Sequence, residues 1–182
     1  MACGGAGGRP LWARGRRCRQ RGRVPAVATF SGTFINKVDR KGRVSVPASF
    51  RTVLSTLGQQ SIAAFPNPTG TPALDCCGAD WLDKVGQLLG SKALYQAEYE
   101  AIAYLILGAA QPLSLDPEGR ILLPQGFIEH TGVTDSAAFI GIGERFQIWT
   151  PASLKKMTDE ARANSAANIA KFNELLREAG RS

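Results

Sequence analysis

The chain has 182 residues, of which 44% are hydrophobic and 20% charged, the composition of an ordinary globular protein. No apolar run reaches the roughly 18 residues that a transmembrane helix needs, which argues against a membrane partner. The net charge of +7 is typical of nucleic-acid-binding proteins, but residues 1–27 hold seven arginines and no acidic residue. The other residues hold 15 basic and 15 acidic side chains, so any DNA binding must come from a local basic surface.

Residues 1–28 form an Arg- and Gly-rich tail with few large apolar side chains. Such a segment buries too little surface to offset the entropy lost on ordering, so we predict that it is disordered. An arm that binds nucleic acid is one functional interpretation of its charge. The interpretation that we prefer is a start site assigned too far upstream, with the true start near Val24 or Val27.

An internal repeat with an offset of 77 residues follows the tail. Residues 38–50 read VDRKGRVSVPASF, and residues 115–127 read LDPEGRILLPQGF. Five positions are identical, and the apolar positions between them agree in kind. The identical pairs are Asp39 and Asp116, Gly42 and Gly119, Arg43 and Arg120, Pro47 and Pro124, and Phe50 and Phe127. Agreement over thirteen ungapped positions indicates two copies of one structural unit.

Each copy predicts two strands joined by a tight turn and followed by a helix. Val44 and Val46 alternate with polar residues, as in half-buried strands. Asp39 and Gly42 supply the turn, because aspartate bonds the backbone that follows it and glycine accepts a left-handed conformation. Arg43 can reach back to the aspartate and pin the register of the hairpin. The proline that follows opens an amphipathic helix.

Two more strands follow each helix, and further helices separate and end the copies. The predicted strands span 61–65, 73–77, 137–141 and 145–150. A connecting helix is predicted at about 91–107, with the apolar stripe Tyr95, Tyr99, Ile102 and Ile106, and a final helix at about 151–177. We therefore divide the chain into repeat 1 at 33–80, a connecting helical segment at 81–110, repeat 2 at 111–153 and a C-terminal helix at 154–182.

Neither half is large enough to be stable alone, because a unit of about 45 residues buries too little surface. We predict that the two halves interleave into one β-barrel, which shares a core and removes open sheet edges. The predicted fold class is accordingly α+β and β-rich, with flanking helices.

The sequence offers little material for catalysis or metal binding. Its cysteines are Cys3, Cys18, Cys76 and Cys77, with no CxxC spacing, and its only histidine is His130. A structural zinc site needs four nitrogen or sulfur ligands, usually paired by spacing. His130 takes a core-like helical position, and no nucleophile–base pair or dinucleotide-binding glycine motif is found. We expect no catalytic residue, no metal, no cofactor and no small-molecule substrate.

Three segments resemble the MraZ family. They are the run from Phe30 through the first Asp box to Phe50 and Arg51, the second box at 116–120, and the segment IGIGERFQIW at 140–149. Two DxxxR boxes at this separation are specific to that family, and the resemblance covers about residues 29–155. It implies the AbrB/SpoVT class of proteins, in which two similar halves form a pseudo-two-fold swapped-hairpin β-barrel.

The same resemblance also implies a function. It implies a transcription regulator of the division and cell-wall gene cluster that also acts on its own promoter. The expected partner is double-stranded DNA with short G-rich direct repeats, bound by a ring-shaped homo-oligomer. The expected location is cytoplasmic and associated with the nucleoid.

The resemblance assigns the essential DNA contacts to the first box, here Lys41 and Arg43, with Arg40 as a local addition. Arginine is the residue that most often reads guanine, whereas lysine more often contacts phosphate. A purely structural role for Arg43, as the pin of its turn on Asp39, is the alternative, because the guanidinium fork suits both.

Two further arginines are candidates for DNA binding. Arg120 follows Pro117 and Glu118, which lower the local positive charge, so a structural role is the preferred interpretation. Arg51 lies on the first helix, where a solvated surface position is as good an interpretation as phosphate contact. The structural turn positions are Asp39, Gly42, Asp116 and Gly119.

An interaction module of the same barrel class, such as an antitoxin-like protein, is the main alternative function. Its docking segment would be the end of the C-terminal helix, from Asn168 to Arg177. A stable heterologous protein partner with no DNA retained would favour this alternative.

Overall fold

The structure, a computed structural model, describes residues 29–93 and 96–179, so the predicted tail at 1–28 lies outside the described residues. The strands are β1 (Thr33–Lys37), β2 (Arg43–Ser45), β3 (Ser61–Pro66), β4 (Ala73–Cys77), β5 (Gln111–Ser114), β6 (Arg120–Leu122), β7 (Ser136–Gly141) and β8 (Arg145–Trp149). The α-helices are α1 (Ala48–Thr56), α2 (Ala79–Ala93), α3 (Ala97–Ala103), α4 (Gln125–Thr131), α5 (Pro151–Ala163) and α6 (Ser165–Ala179). A π-helical turn at Tyr104–Gly108 continues α3.

The described strands form one six-stranded antiparallel sheet and one two-stranded ribbon. The large sheet has the order β1-β7-β8-β4-β3-β5, and β2 pairs with β6 in the ribbon. The first strand of each half therefore pairs with the third strand of the other half, β1 with β7 and β5 with β3. Exchanging the halves reproduces the same order from the opposite edge, so the hydrogen bonding has pseudo-two-fold symmetry.

The closed barrel that we predicted is not formed by the described strands. β2 and β6 have three residues each and pair with each other as a separate ribbon, which leaves β1 and β5 as the edges of the large sheet. The hairpin predicted across the first turn is short. It consists of the antiparallel bridge between Val38 and Val44, beyond which β2 pairs with β6 instead of with β1.

One hydrophobic core joins the sheet and the ribbon. At its centre Phe146 of β8 packs against Phe30, Phe50 and Phe139, with ring centroids 5.0, 5.0 and 6.2 Å away. The inner side chains of the ribbon are buried in the same cluster. The ribbon is therefore held on the core by one face, and its other face is turned to solvent.

The first helix of the connecting segment starts earlier than the predicted connecting helix. α2 begins at Ala79 rather than near Ser91, because Trp81 stacks on Phe65 of β3 at a centroid distance of 6.0 Å and anchors the first helical turn on the sheet. Of the predicted stripe, Tyr95 lies outside the described residues, Tyr99 and Ile106 are half-buried, and Ile102 is exposed. Among the helices of the described part, none is both long and apolar enough to cross a membrane.

The single helix predicted at 151–177 is instead two helices, α5 and α6, separated at Asn164. The side chain of Asn164 donates a hydrogen bond to the carbonyl of Glu160 at 3.0 Å, which also accepts the backbone N–H of Asn164 at 3.2 Å. Thr150 caps the start of α5, since its hydroxyl accepts the backbone N–H of Ser153 at 3.1 Å. The large apolar side chains of α6 are exposed, namely Ile169, Phe172, Leu175 and Leu176.

Candidate nucleic-acid interface

The two-stranded ribbon places the two Asp boxes side by side. Val44 pairs with Ile121, and both side chains point into the core, with at most 1% of their surface exposed. Because successive side chains of a strand point to opposite faces, the pairs on either side face outward. These outward pairs are Arg43 with Leu122 and Ser45 with Arg120. One arginine from each repeat thus lies on the outer face. Because Arg120 is opposite Ser45, the two arginines are offset by two residues along the ribbon, or about 7 Å.

Asp39 organises the first turn with both of its carboxylate oxygens. Oδ1 accepts the backbone N–H groups of Lys41 and Arg43, each at 2.9 Å. Oδ2 accepts Nε and Nη2 of Arg43, each at 2.7 Å. The predicted pin between the aspartate and the arginine is therefore present in the structure.

Asp116 repeats this arrangement in the second turn. Its Oδ1 accepts the backbone N–H groups of Glu118 and Arg120 at 3.0 and 2.8 Å, and its Oδ2 accepts Nε of Arg120 at 2.7 Å. Arg120 also donates from Nη2 to the carboxylate of Glu118 at 2.9 Å. The second arginine is therefore bound by two carboxylates, whereas Arg43 is bound by one.

These hydrogen bonds favour the charged forms of both aspartates. The backbone N–H of Arg43 is the largest cause that lowers the pKa of Asp39, and the backbone N–H of Arg120 does the same for Asp116. The hydrogen bond to Asp116 is the largest cause that raises the pKa of Arg120, and the negative charge of Asp39 adds to it. Because Asp39 belongs to the other box, the two turns lie within electrostatic reach of each other.

Glycines join each turn to the opposite half. Gly42 and Gly119 have φ angles of 78° and 75°, in the left-handed region that favours glycine. The carbonyl of Gly42 accepts the N–H of Leu123 at 3.0 Å, and the carbonyl of Gly119 accepts the N–H of Val46 at 3.0 Å. The spacing between the two turns is therefore fixed by backbone hydrogen bonds between the repeats.

The first turn carries the free positive charge of the ribbon. The side chains of Arg40 and Lys41 are exposed, and neither forms an ion pair with any residue of the described ranges. Arg43 uses Nε and Nη2 on Asp39, but a guanidinium has five N–H donors. Pinning the turn therefore leaves N–H groups of Arg43 for a ligand, so the two interpretations of this arginine are compatible.

Arg51 reaches from α1 to the second turn. Its Nη1 donates a long hydrogen bond of 3.4 Å to the carbonyl of Glu118. Its guanidinium covers Gly119 so closely that a Cβ on this glycine would fall 2.1 Å from Nη1. Arg51 is thus held against one of the two turns, while the residue as a whole stays exposed. All the predicted cationic positions therefore lie on the ribbon, on its turns or against one of them.

A second polar cluster, which the sequence did not reveal, lies on the face of the large sheet away from the aromatic core. Asp75 of β4 is fully buried and accepts hydrogen bonds from Asn67 at 2.6 Å and from Arg145 and Gln147 at 3.0 Å each. The guanidinium of Arg145 also lies 5.3 Å from the ring centroid of Trp81. The only signal for this cluster was an aspartate inside an apolar strand. Its buried polar atoms all have hydrogen-bond partners, which is the arrangement of a cluster that stabilises the sheet.

The described residues contain no group of three or more His, Cys, Asp and Glu side chains arranged to hold a metal ion. Burial raises the pKa of Cys77 to about 12 and also raises the pKa of Cys76, so both thiols stay protonated at neutral pH. His130 is half-buried on α4, with Nε2 3.2 Å from the carbonyl oxygen of Thr71. It therefore has the partner expected of a structural histidine.

The fold and the site define an α+β protein of two interleaved repeats that presents a small ribbon with two aspartate-pinned arginines and one basic turn. A sequence model of the family described as "MraZ protein, putative antitoxin-like" matches residues 106–175. The chain is 36% identical to the transcriptional regulator MraZ of Pelagibacter ubique over 141 residues, which cover 78% of this chain and 90% of that protein. The chain belongs to the MraZ family.

Other relatives with the same name agree over similar lengths. Identity to the protein of Parvibaculum lavamentivorans is 35% over 149 residues, which cover 82% of this chain and 90% of the relative. Identity to the protein of Xanthobacter autotrophicus is 38% over 132 residues, which cover 72% and 83%.

Proposed function

We propose that this chain is a sequence-specific, DNA-binding transcriptional regulator. The observation that carries the proposal is the outer face of the β2–β6 ribbon, where Arg43 keeps unused N–H groups next to the unpaired cations Arg40 and Lys41. A two-stranded ribbon is narrow enough to enter the major groove of B-DNA. The relatives named above are called transcriptional regulators, which supports the same function. The exchange of β1 and β5 between the halves supports assignment to the AbrB/SpoVT swapped-hairpin class.

Within this interface Arg43 is the residue that reads bases. Asp39 holds its guanidinium in one orientation, and the remaining N–H groups can bond O6 and N7 of guanine, a contact that gives roughly 1–3 kcal/mol of discrimination. Arg40 and Lys41 contact phosphates beside the groove. Arg120 is neutralised by two carboxylates, so it supports the ribbon more than it reads DNA.

The assembly and the operator form a second part of the proposal. We propose a homo-oligomeric ring that binds short G-rich direct repeats in its own promoter, within the division and cell-wall gene cluster, in a cytoplasmic protein at the nucleoid. Residues 28–182 hold 15 basic and 15 acidic side chains, so a single ribbon binds weakly. Repetition around a ring raises the effective concentration of every contact after the first. A head-to-tail ring presents all ribbons in one orientation, which suits direct repeats rather than palindromes.

The test is a mobility shift of the upstream DNA over a series of salt concentrations. The wild-type protein should bind with a steep salt dependence, because each phosphate contact releases counter-ions. Arg43→Ala should lose the preference for the promoter over a scrambled duplex and keep its oligomeric mass. Arg162→Ala on α5, which removes the same charge elsewhere, should bind like the wild type. Absence of binding at low ionic strength, or an unchanged preference in Arg43→Ala, contradicts the proposal.

The ring has its own test. Inserting half a helical turn between the direct repeats moves neighbouring sites to opposite sides of the duplex, so a ring should lose tight binding. Inserting a whole turn is the control for length. Equal affinity for the altered and the natural spacing would argue against simultaneous binding by several ribbons.

The second candidate function is an antitoxin-type interaction module. It is favoured by the exposed apolar residues of α6, which include Phe172 and Leu175 with 58% and 62% of their surface exposed. Affinity purification of the natively expressed protein decides between the two. A stoichiometric heterologous protein that is lost on deletion of residues 165–182, with no DNA retained, supports the interaction module.

A further inference from the structure

The two turns of the ribbon differ in charge although the repeat places them in equivalent positions. The tip of the first turn is Arg40-Lys41, and the tip of the second turn is Pro117-Glu118. The arginine of the second box is held between two carboxylates, those of Asp116 and Glu118. The second turn therefore offers no uncompensated cation of its own to a polyanion.

The side chain that covers the glycine of each turn also differs between the repeats, and here the cation belongs to the second turn. Arg51 and Ile128 are counterparts, since each follows the phenylalanine of its repeat. The Cδ1 of Ile128 lies 3.3 Å from the point where a Cβ of Gly42 would be, and Nη1 of Arg51 lies 2.1 Å from the corresponding point at Gly119. The notch above each glycine is thus filled by an apolar side chain at the basic turn and by a cation at the acidic turn.

Arg51 is placed to act on a ligand. Its hydrogen bond goes to a backbone carbonyl rather than to a carboxylate, and no ion pair joins it to the residues that the structure describes. The groove beside it is lined by Ser55 and Gln60, and also by Gln59, whose amide is already bonded to Ala79 and Asp80. Hydroxyl and amide groups of this kind commonly bond phosphate oxygens of DNA.

We propose that Arg51 is the phosphate-contacting cation of the second turn, so that the first turn reads bases and the second turn holds the DNA backbone. The inference rests on the DNA binding proposed above and adds a division of labour between the two repeats. Glu118 has a defined part in it. By binding Arg120 it withdraws that arginine from DNA, and the charge at this turn then comes from α1 instead.

The experiment compares Arg51→Ala with Arg43→Ala in the full chain. Each protein is titrated with the promoter duplex and with a scrambled duplex of equal length, between about 50 and 200 mM salt. Loss of the Arg51 contact lowers the slope of log affinity against log salt by about 0.9 for each ribbon that is bound, for both duplexes alike. Over this range the affinity of the wild type should therefore fall roughly 3–4-fold more than that of Arg51→Ala for each bound ribbon. Arg43→Ala should instead lower the ratio of promoter to scrambled affinity.

Two further variants separate charge from packing. Arg51→Lys should keep the wild-type slope, because a phosphate contact needs the charge more than the guanidinium fork. Arg51→Gln keeps much of the side-chain stem over Gly119 but removes the charge, so it should reproduce the slope of Arg51→Ala with an unchanged melting temperature. If Arg51→Ala does not fold, Arg51→Gln decides.

The outcomes are distinguishable. A wild-type slope in the uncharged variants, or a loss confined to the promoter duplex, overturns the inference and leaves the proposed function intact. A wild-type protein that binds neither duplex at the lowest salt concentration overturns both.

Discussion

Asp39 and Asp116 show how a single carboxylate can fix both a turn and an arginine side chain. Each aspartate closes a turn with backbone hydrogen bonds and also holds the guanidinium that comes four residues later. The Asp39–Arg43 pair is exposed, so it adds little to stability. Under the proposed function its effect is on binding, because an arginine that is already oriented loses less conformational entropy when it contacts DNA.

The notch at Gly119 gives a prediction at the scale of one residue. Gly119→Ala should lower the free energy of unfolding by about 1–3 kcal/mol. The main cause is the left-handed φ of 75°, because the Cβ would otherwise only displace the end of the exposed and flexible Arg51 side chain. The measurement is equilibrium unfolding in urea.

Gly58→Ala is the matched control. Gly58 has a φ of 69°, but no atom lies within 4 Å of the point where its Cβ would be. It should therefore show the conformational cost alone, about 1 kcal/mol. The two variants should therefore lose similar stability, and a Gly119→Ala protein as stable as the wild type would contradict the left-handed conformation of this turn.

At the scale of elements, strand positions were predictable and strand partners were not. The strands at 61–65, 73–77, 137–141 and 145–150 are confirmed to within one residue, because apolar runs bounded by turn residues mark them locally. The partner of β1 is set by contacts about a hundred residues away in sequence, with Thr33 opposite Ile140. A tight turn after β1 suggested a local hairpin, but the turn leads into β2, which diverges after one bridge.

The predicted helix boundaries were wrong where the boundary depends on side-chain contacts that the local sequence pattern does not show. α2 starts at Ala79 because Trp81 stacks on Phe65, a contact with another element. At Asn164, between α5 and α6, the carbonyl of Glu160 accepts both the backbone N–H and the side-chain amide, but asparagine is common enough in helices that it predicts no break by itself.

The polar cluster between β4 and β8 gives a prediction at the scale of elements. Asp75→Ala should lower the free energy of unfolding by about 3–5 kcal/mol, because it leaves the arginine and the buried amide of Gln147 without their acceptor. Glu144→Ala is the control, since it breaks an ion pair with Lys84 in which both side chains are more than half exposed. That change should cost at most about 1 kcal/mol. Equal losses in the two variants would show that the cluster is solvated.

At the scale of the whole molecule, the repeat predicted more of the site than of the architecture. Equivalent boxes in two copies predicted that Arg43 and Arg120 would share an environment, and both are pinned by their aspartates as expected. The contact of Arg51 with Glu118 was not predictable, because it joins a helix of one repeat to a turn of the other over 67 residues of sequence. The prediction of a closed barrel was wrong because it did not take strand length into account. With three residues each, β2 and β6 supply too few hydrogen bonds to link the ribbon to the sheet.

Interleaving has a thermodynamic consequence for the whole molecule. Phe146 of the second repeat packs on Phe30 and Phe50 of the first, so neither half can lose its core without exposing the other. Unfolding should therefore be a single transition in which tryptophan fluorescence and far-ultraviolet circular dichroism superimpose. Phe146→Ala should lower the free energy of unfolding by about 3–5 kcal/mol and keep that single transition.

Phe172→Ala on α6 is the matched control, because this ring has 58% of its surface exposed, and its removal should change stability by no more than about 0.5 kcal/mol.

Thermal melting of the two halves, each expressed alone, is the complementary measurement. Residues 29–82 and 111–155, expressed separately, should each lack cooperative melting, since each would expose the face that the other half covers. Two separate transitions in the full chain, or a half that melts cooperatively alone, would mean that the hydrogen-bonded exchange of β1 and β5 does not couple the repeats energetically.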